Sequence, residues 1–265
     1  MGENTIRSLS GAVYILLLIV GTQTPYSTLL LFGCFLIITT YEFCNLISIR
    51  KIAPILLGIL GMLNLYFVPL KQSVVLFLLL FALLVALFLM FYLFKNKNFP
   101  LHFTARHAIL FGYIIFPIVL ITQIPNILSE NVITILDVFI IIWVNDTFAY
   151  LVGKKFGKRK LFETISPKKT VEGFWGGLVF ALIAGLIISF FKSNLPWYVA
   201  LIFAITISFF GTCGDLIESK FKRMAGVKDS GKIMPGHGGI LDRLDSIIFA
   251  APFLVLLLEI IKFLH

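Results

Sequence analysis

Along the chain, long apolar runs alternate with short polar segments. The runs fall at about 9–23, 27–46, 52–69, 73–94, 107–125, 131–152, 172–191, 195–214 and 246–264. A helix crosses a bilayer with about 20 apolar residues, within a range of 17–25. Only helices or closed barrels satisfy the backbone in lipid. The runs are continuous and do not alternate in the manner of barrel strands, which excludes an outer-membrane barrel. The pattern predicts an all-α polytopic membrane protein with about nine transmembrane helices. The first run is short, and the sixth contains Asp137 and Asp146. No clear cleavage site follows the first run, so it reads as a retained span. Five spans within residues 1–130 form an N-terminal region. Residues 131–265 form a C-terminal region with two polar loops.

Composition sharpens the picture. Apolar residues make up 59% of the chain and charged residues 13%, against about 25% charged in soluble domains. A secreted enzyme, a disulfide scaffold and a soluble nucleic-acid binder are excluded, so no nucleic-acid partner is expected. Cys34, Cys44 and Cys213 have neither metal-ligand spacing nor an even count. The net charge of +9 matters less than its distribution. With the N-terminus inside, 19 of the 22 basic residues fall on the inner side; Lys71, Lys192 and Lys262 do not. The positive-inside rule then predicts a cytoplasmic N-terminus and an external C-terminus. Thirteen of the nineteen lie in the two polar loops, which a catalytic role would also make basic.

The first half of the chain shows little beyond its apolar runs; the candidate chemistry begins at Asn145. Asn145 and Asp146 end an apolar run, where an ionisable group costs about 2.5–3.5 kcal/mol unless paired or hydrated. Asp146 either pairs with a nearby lysine or opens a polar cavity to the cytoplasm. The segment Ser166-Pro-Lys-Lys-Thr-Val-Glu-Gly follows. Pro167 starts a turn or helix, and Thr170 is an N-cap candidate with Glu172 in the first turn. Lys168 and Lys169 beside a helix N-terminus make a phosphate site, or simply a solvated basic loop.

The second loop runs from Gly211 to Ser246. Asp215 ends a span, and Asp242 and Asp245 share one helical face at i, i+3. Three carboxylates at one membrane depth stay ionised together only around a cation. Hard oxygen ligands suit Mg²⁺, which also takes substrate phosphates; one or two ions would serve. Gly236, Gly238 and Gly239 allow close backbone approach and an anion nest. Lys220, Lys222, Arg223, Lys228 and Arg243 add positive charge. Carboxylates and dense cations together indicate a polyphosphate with its metal.

The 27 residues from Ser219 to Asp245 resemble the signature of the phosphatidate cytidylyltransferases, or CDP-diacylglycerol synthases. Asn145-Asp-Thr and the Ser166–Gly173 segment also resemble that family; Phe148 and Met234 depart from it. The resemblance covers residues 140–250. It implies that phosphatidate and CTP give CDP-diacylglycerol and pyrophosphate with Mg²⁺ held by Asp215 and Asp242; Asp245, on the same helical face as Asp242, is expected as a third ligand. It further implies a homodimer in a bacterial inner membrane with its site facing the cytoplasm. Lys222, Arg223 and Arg243 are then expected to carry phosphate charge in the reaction. Asn145, Asp146, Ser166, Lys168, Lys169, Lys220, Lys228, His237, Gly238 and Gly239 are expected to bind substrate. A phosphate monoester is already ionised near neutral pH, so no general base is needed and His237 shapes the loop or touches phosphate. A CTP-dependent lipid kinase shares these features. A transporter using Asp137 and Asp146 as a proton path is a second alternative.

Overall fold

A computed structural model describes residues 3–67, 72–95, 97–128 and 132–264. Its helices are α1 (Glu3–Gly21), α2 (Pro25–Leu46), α3 (Ile52–Phe67), α4 (Gln72–Phe94), α5 (Phe103–Ile109), α6 (Phe116–Ile127), α7 (Ile135–Phe156), α8 (Val171–Phe191), α9 (Trp197–Met224) and α10 (Leu241–Leu264). A π-helical turn, Leu110–Ile115, joins α5 to α6. Among the described residues, seven helical segments are long and apolar enough to cross a membrane, and two shorter apolar helices, Thr5–Gly21 and Ile52–Phe67, accompany them. The protein is thus an all-α polytopic membrane protein, apart from one small hairpin. Lys71, Asn131 and His265 lie outside the described residues.

The helix limits have local causes. Thr24 and Ser27 form a capping box with Pro25 in the first turn of α2, which fixes φ and needs no amide partner. Thr134 and Asp137 cap α7 in the same way, so this helix begins at Ile135 and not at 131. Two limits differ more. α9 continues ten residues past 214, because Asp215, Glu218, Ser219 and Lys222 recur at i, i+3, i+4 and i+7 on one face. α10 begins at Leu241, so Asp242 and Asp245 lie in its first turns.

Between α7 and α8, β1 (Lys160–Phe162) pairs antiparallel with β2 (Ser166–Thr170). Pro167 therefore sits in a strand of a two-stranded ribbon, where its missing N–H is tolerated. The ribbon is tied to α8 through Glu172, which accepts from the Lys158 and Arg159 amides at 3.0 and 3.1 Å and pairs with the Arg159 side chain.

In sequence order α7, α8, α9 and α10 pack each on the next, and α10 also meets α2, α4 and α6. One apolar core draws on both halves of the chain. Small residues set the close approaches. A Cβ on Gly177 of α8 would lie 2.7 Å from the Asn145 carbonyl of α7, and one on Gly214 of α9 would lie 2.6 Å from the Asp245 carbonyl of α10. These contacts bring the acidic ends of α7, α9 and α10 together.

Candidate active site

Two cavities meet at Asp146 and Asp215. One, of about 620 Å³, is bounded by α1, α7, α9, α10 and the preceding loop, with Asp229, Asp242, Asp245, Lys222, Arg243 and His237 on its wall. The other, of about 490 Å³, lies between α7, α8, α9 and the hairpin, with Asn145, Lys154, Lys168, Lys169 and Thr212 on its wall. Asp146 and Asp215 belong to both.

Each carboxylate is held differently. Asp215 pairs with Lys169 at 2.5 Å and accepts from the Ser219 hydroxyl at 3.2 Å. Asp242 Oδ1 accepts from Lys222 at 2.6 Å. Its Oδ2 accepts from the Ser230 amide at 2.9 Å, the Ser230 hydroxyl at 2.8 Å and the Gly239 amide at 2.7 Å. Lys222 also pairs with buried Glu218. Asp146 accepts from Asn145 at 3.2 Å, and Asp245 accepts from the Ser246 amide at 2.7 Å. Burial alone would lower the pKa of Lys169, but the Asp215 and Asp146 carboxylates raise it above the ordinary lysine value. His237 is shifted the other way, by burial and then by Arg243 and Arg7, so it favours the neutral ring. Its Nδ1 lies 2.7 Å from the Ser10 hydroxyl, and Arg243 donates to its carbonyl at 2.8 Å.

Several residues read from the sequence stand elsewhere. Lys220 points away from both cavities: it is 4% exposed, donates to the Tyr92 carbonyl at 3.0 Å and lies over the Phe99 ring. The helical phase of α9 explains this, since Lys220 is two residues, about 200°, from Lys222. Arg223 is exposed and donates to the Val227 carbonyl. Ser166 pairs opposite Phe162 in the hairpin and lines neither cavity. Lys228 lines a small surface cleft with Arg7, Lys232 and Gly236. The expected anion nest at the start of α10 is already filled. Gly238 adopts φ +85°, Gly239 donates to Asp242, and the Ile240 and Leu241 amides donate to Glu42 of α2 at 3.2 and 2.8 Å. Glu42 lies in the half of the chain where the sequence shows little beyond apolar runs. The signal for it was there: a lone carboxylate within an apolar run. Asp137 stands in the first turn of α7, in the capping box with Thr134 and paired with Lys192, whereas Asp146 lies midway along the helix at the cavities.

The donor set consists of hard carboxylate oxygens, the chemistry that Mg²⁺ prefers. Two lysine ammonium groups already sit on Asp215 and Asp242, so these carboxylates attract cations. Among the described residues, no three acidic, histidine or cysteine side chains converge as a ready ligand set. The residues fit the ion by chemistry, while Oδ2 of Asp242 is fully taken up by its own loop.

Comparison with known proteins bears on the whole chain. Residues 5–261 match the model of the cytidylyltransferase family. A phosphatidate cytidylyltransferase of Staphylococcus saprophyticus is 53% identical over 131 residues, 49% of this chain and 50% of that protein. Proteins of the same name from Staphylococcus haemolyticus and Staphylococcus aureus are 51% and 53% identical over the same length. The matched segment spans about half the length of these relatives.

Proposed function

The chain belongs to the cytidylyltransferase family, and we propose that it transfers the cytidylyl group of CTP to phosphatidate, giving CDP-diacylglycerol and pyrophosphate. One observation carries this reading. The polar cavity at Asp215 and Asp242 shares Tyr14 and Met234 with an apolar groove of about 790 Å³ between α1 and α2. Acyl chains lie in the groove while the phosphate they carry reaches the carboxylates and lysines.

The lipid phosphate attacks the α-phosphorus of CTP in line, and pyrophosphate leaves. With a second pKa near 6, the nucleophile is ionised at neutral pH. The barrier lies in bringing anions together. Lys169 and Lys168 face the side where the CTP phosphates are placed, and Lys222 and Arg243 the side of the lipid phosphate. Bound Mg²⁺ supplies charge neutralisation for the phosphates; Asp215 and Asp245, with Oδ1 of Asp242, would hold one or two ions. Neutral His237 takes no proton and keeps the loop against α1 through Ser10.

In this reading all nine long and short apolar segments cross the membrane, the N-terminus and both cavities face the cytoplasm, and the membrane is the bacterial inner membrane. Residues 131–265 carry the chemistry, residues 1–130 support it, and the chain works as a homodimer. Purified full-length protein in detergent, given CTP labelled at the α-phosphorus with Mg²⁺, should label lipid only when phosphatidate is added, and release pyrophosphate. Label that stays in released CDP, with lipid labelled only when CTP carries the label at the γ-phosphorus instead, would make it a kinase and overturn the reading.

A further inference from the structure

Outside the cavities, the buried acid Glu42 has both carboxylate oxygens engaged at the start of α10. It stands on α2, is 1% exposed and lines neither cavity. Its Oε1 accepts from the Ile240 amide and its Oε2 from the Leu241 amide. The Ser230 hydroxyl lies 3.4 Å from Oε2. A Cβ on Gly239 would come within 2.5 and 2.6 Å of the two carboxylate oxygens, and one on Gly231 would collide with the same group. These two glycines of the polar segment make room for Glu42, not for a phosphate.

The first amides of α10 are thereby divided between two carboxylates. Asp242 takes Gly239, and Glu42 takes Ile240 and Leu241. Ser230 stands between them, donating to Asp242 by amide and hydroxyl. Asp242 in turn fixes Lys222, which reaches Glu218. The direction in which α10 presents Asp242 and Asp245 to the cavity therefore depends on a side chain from the second helix. Charge-assisted bonds of this kind are about twice as strong as neutral ones, and unpaired buried amides are costly.

We propose that Glu42 is a positioning residue: it clamps the Ser230–Leu241 segment and sets the orientation of Asp242 and Asp245 without touching substrate. The catalytic part of this proposal rests on the cytidylyltransferase reading. The test is Glu42→Gln in the full-length, detergent-purified chain, measured by steady-state kinetics and by amide hydrogen exchange. The substitution keeps the shape but replaces an acceptor oxygen by a donor facing donors. The expected result is a kcat lower by ten- to a hundredfold, with both KM values within threefold. Exchange should quicken at least tenfold in peptides covering 230–242, with no change in those covering α7 and α8. A merely structural role would quicken exchange throughout. If Glu42→Gln does not fold, Gly231→Ala pushes on the same carboxylate and should give the same local quickening. Should the wild-type chain make no CDP-lipid, the functional reading fails while the exchange experiment still decides the clamp. Exchange in 230–242 and kcat both within twofold of wild type in the folded variant would overturn the proposal, as would a uniform rise in exchange.

Discussion

Lys168 and Lys169 are neighbours on one strand, yet only Lys169 is drawn into an ion pair, with Asp215; Lys168 is exposed. If the hairpin receives the CTP phosphates, Lys169→Gln should raise the KM for CTP tenfold or more, and Lys168→Gln less than threefold. Equal small effects would return both to a general basic surface. Because the pKa of Lys169 is raised, its charge is complete below the ordinary lysine value near 10.4 and is lost only as pH climbs through the raised value. Rate changes between pH 7 and 9 should therefore survive in Lys169→Arg. The aspartates should separate as well. Asp215→Asn removes a cavity charge and should cut kcat by about 10²–10⁴-fold, partly restored by high Mg²⁺. Asp242→Asn also unmakes a loop held by four donors. It should cost about 1–3 kcal/mol of stability and resist Mg²⁺ rescue. Thermal unfolding of the two variants at several Mg²⁺ concentrations checks this, and equal melting temperatures with equal rescue would contradict it.

Among the elements, α8 shows how a local signal becomes a site. Thr170 accepts from the Gly173 amide at 3.1 Å and so fixes where the hairpin ends and the helix begins. Thr170→Ala should cost about 1 kcal/mol, a fall of roughly 2–4 °C in melting temperature, and should loosen Lys169. An unchanged melting curve would deny the cap its role. That cap was legible from Thr170 and Glu172. The hairpin was not, because strands of three and five residues with Pro167 inside carry too little alternation. The apolar runs located the helices, since lipid demands that pattern whatever the tertiary packing. Hydropathy ended α9 too early, because charged residues beyond 214 read as loop when their spacing was helical. Lys220 is expected at the substrate and Glu42 is not expected to matter, for one reason: their partners are backbone groups, the Tyr92 carbonyl and the Ile240 and Leu241 amides, so residue type alone does not tell where either side chain points.

For the whole molecule, the first test is orientation. Reporter fusions at Lys160 and after His265 should report opposite sides of the membrane, the former cytoplasmic; the same side for both would reject nine crossings. The link between Glu42 and Leu241, 199 residues apart, has a further consequence for the order of synthesis. α2 leaves the ribosome well before α10, and its carboxylate must wait until α10 has been made. The site is thus closed by α10 across a separation of 199 residues, and loop closure of that length slows folding. Nascent chains of a Glu42→Cys variant halted before Ile240 should stay open to thiol labelling at position 42, and release of the full chain should protect it; equal labelling would show that the closure does not depend on α10. A truncated product is then more than an inactive one. It leaves the Glu42 carboxylate without the Ile240 and Leu241 amides that otherwise meet it.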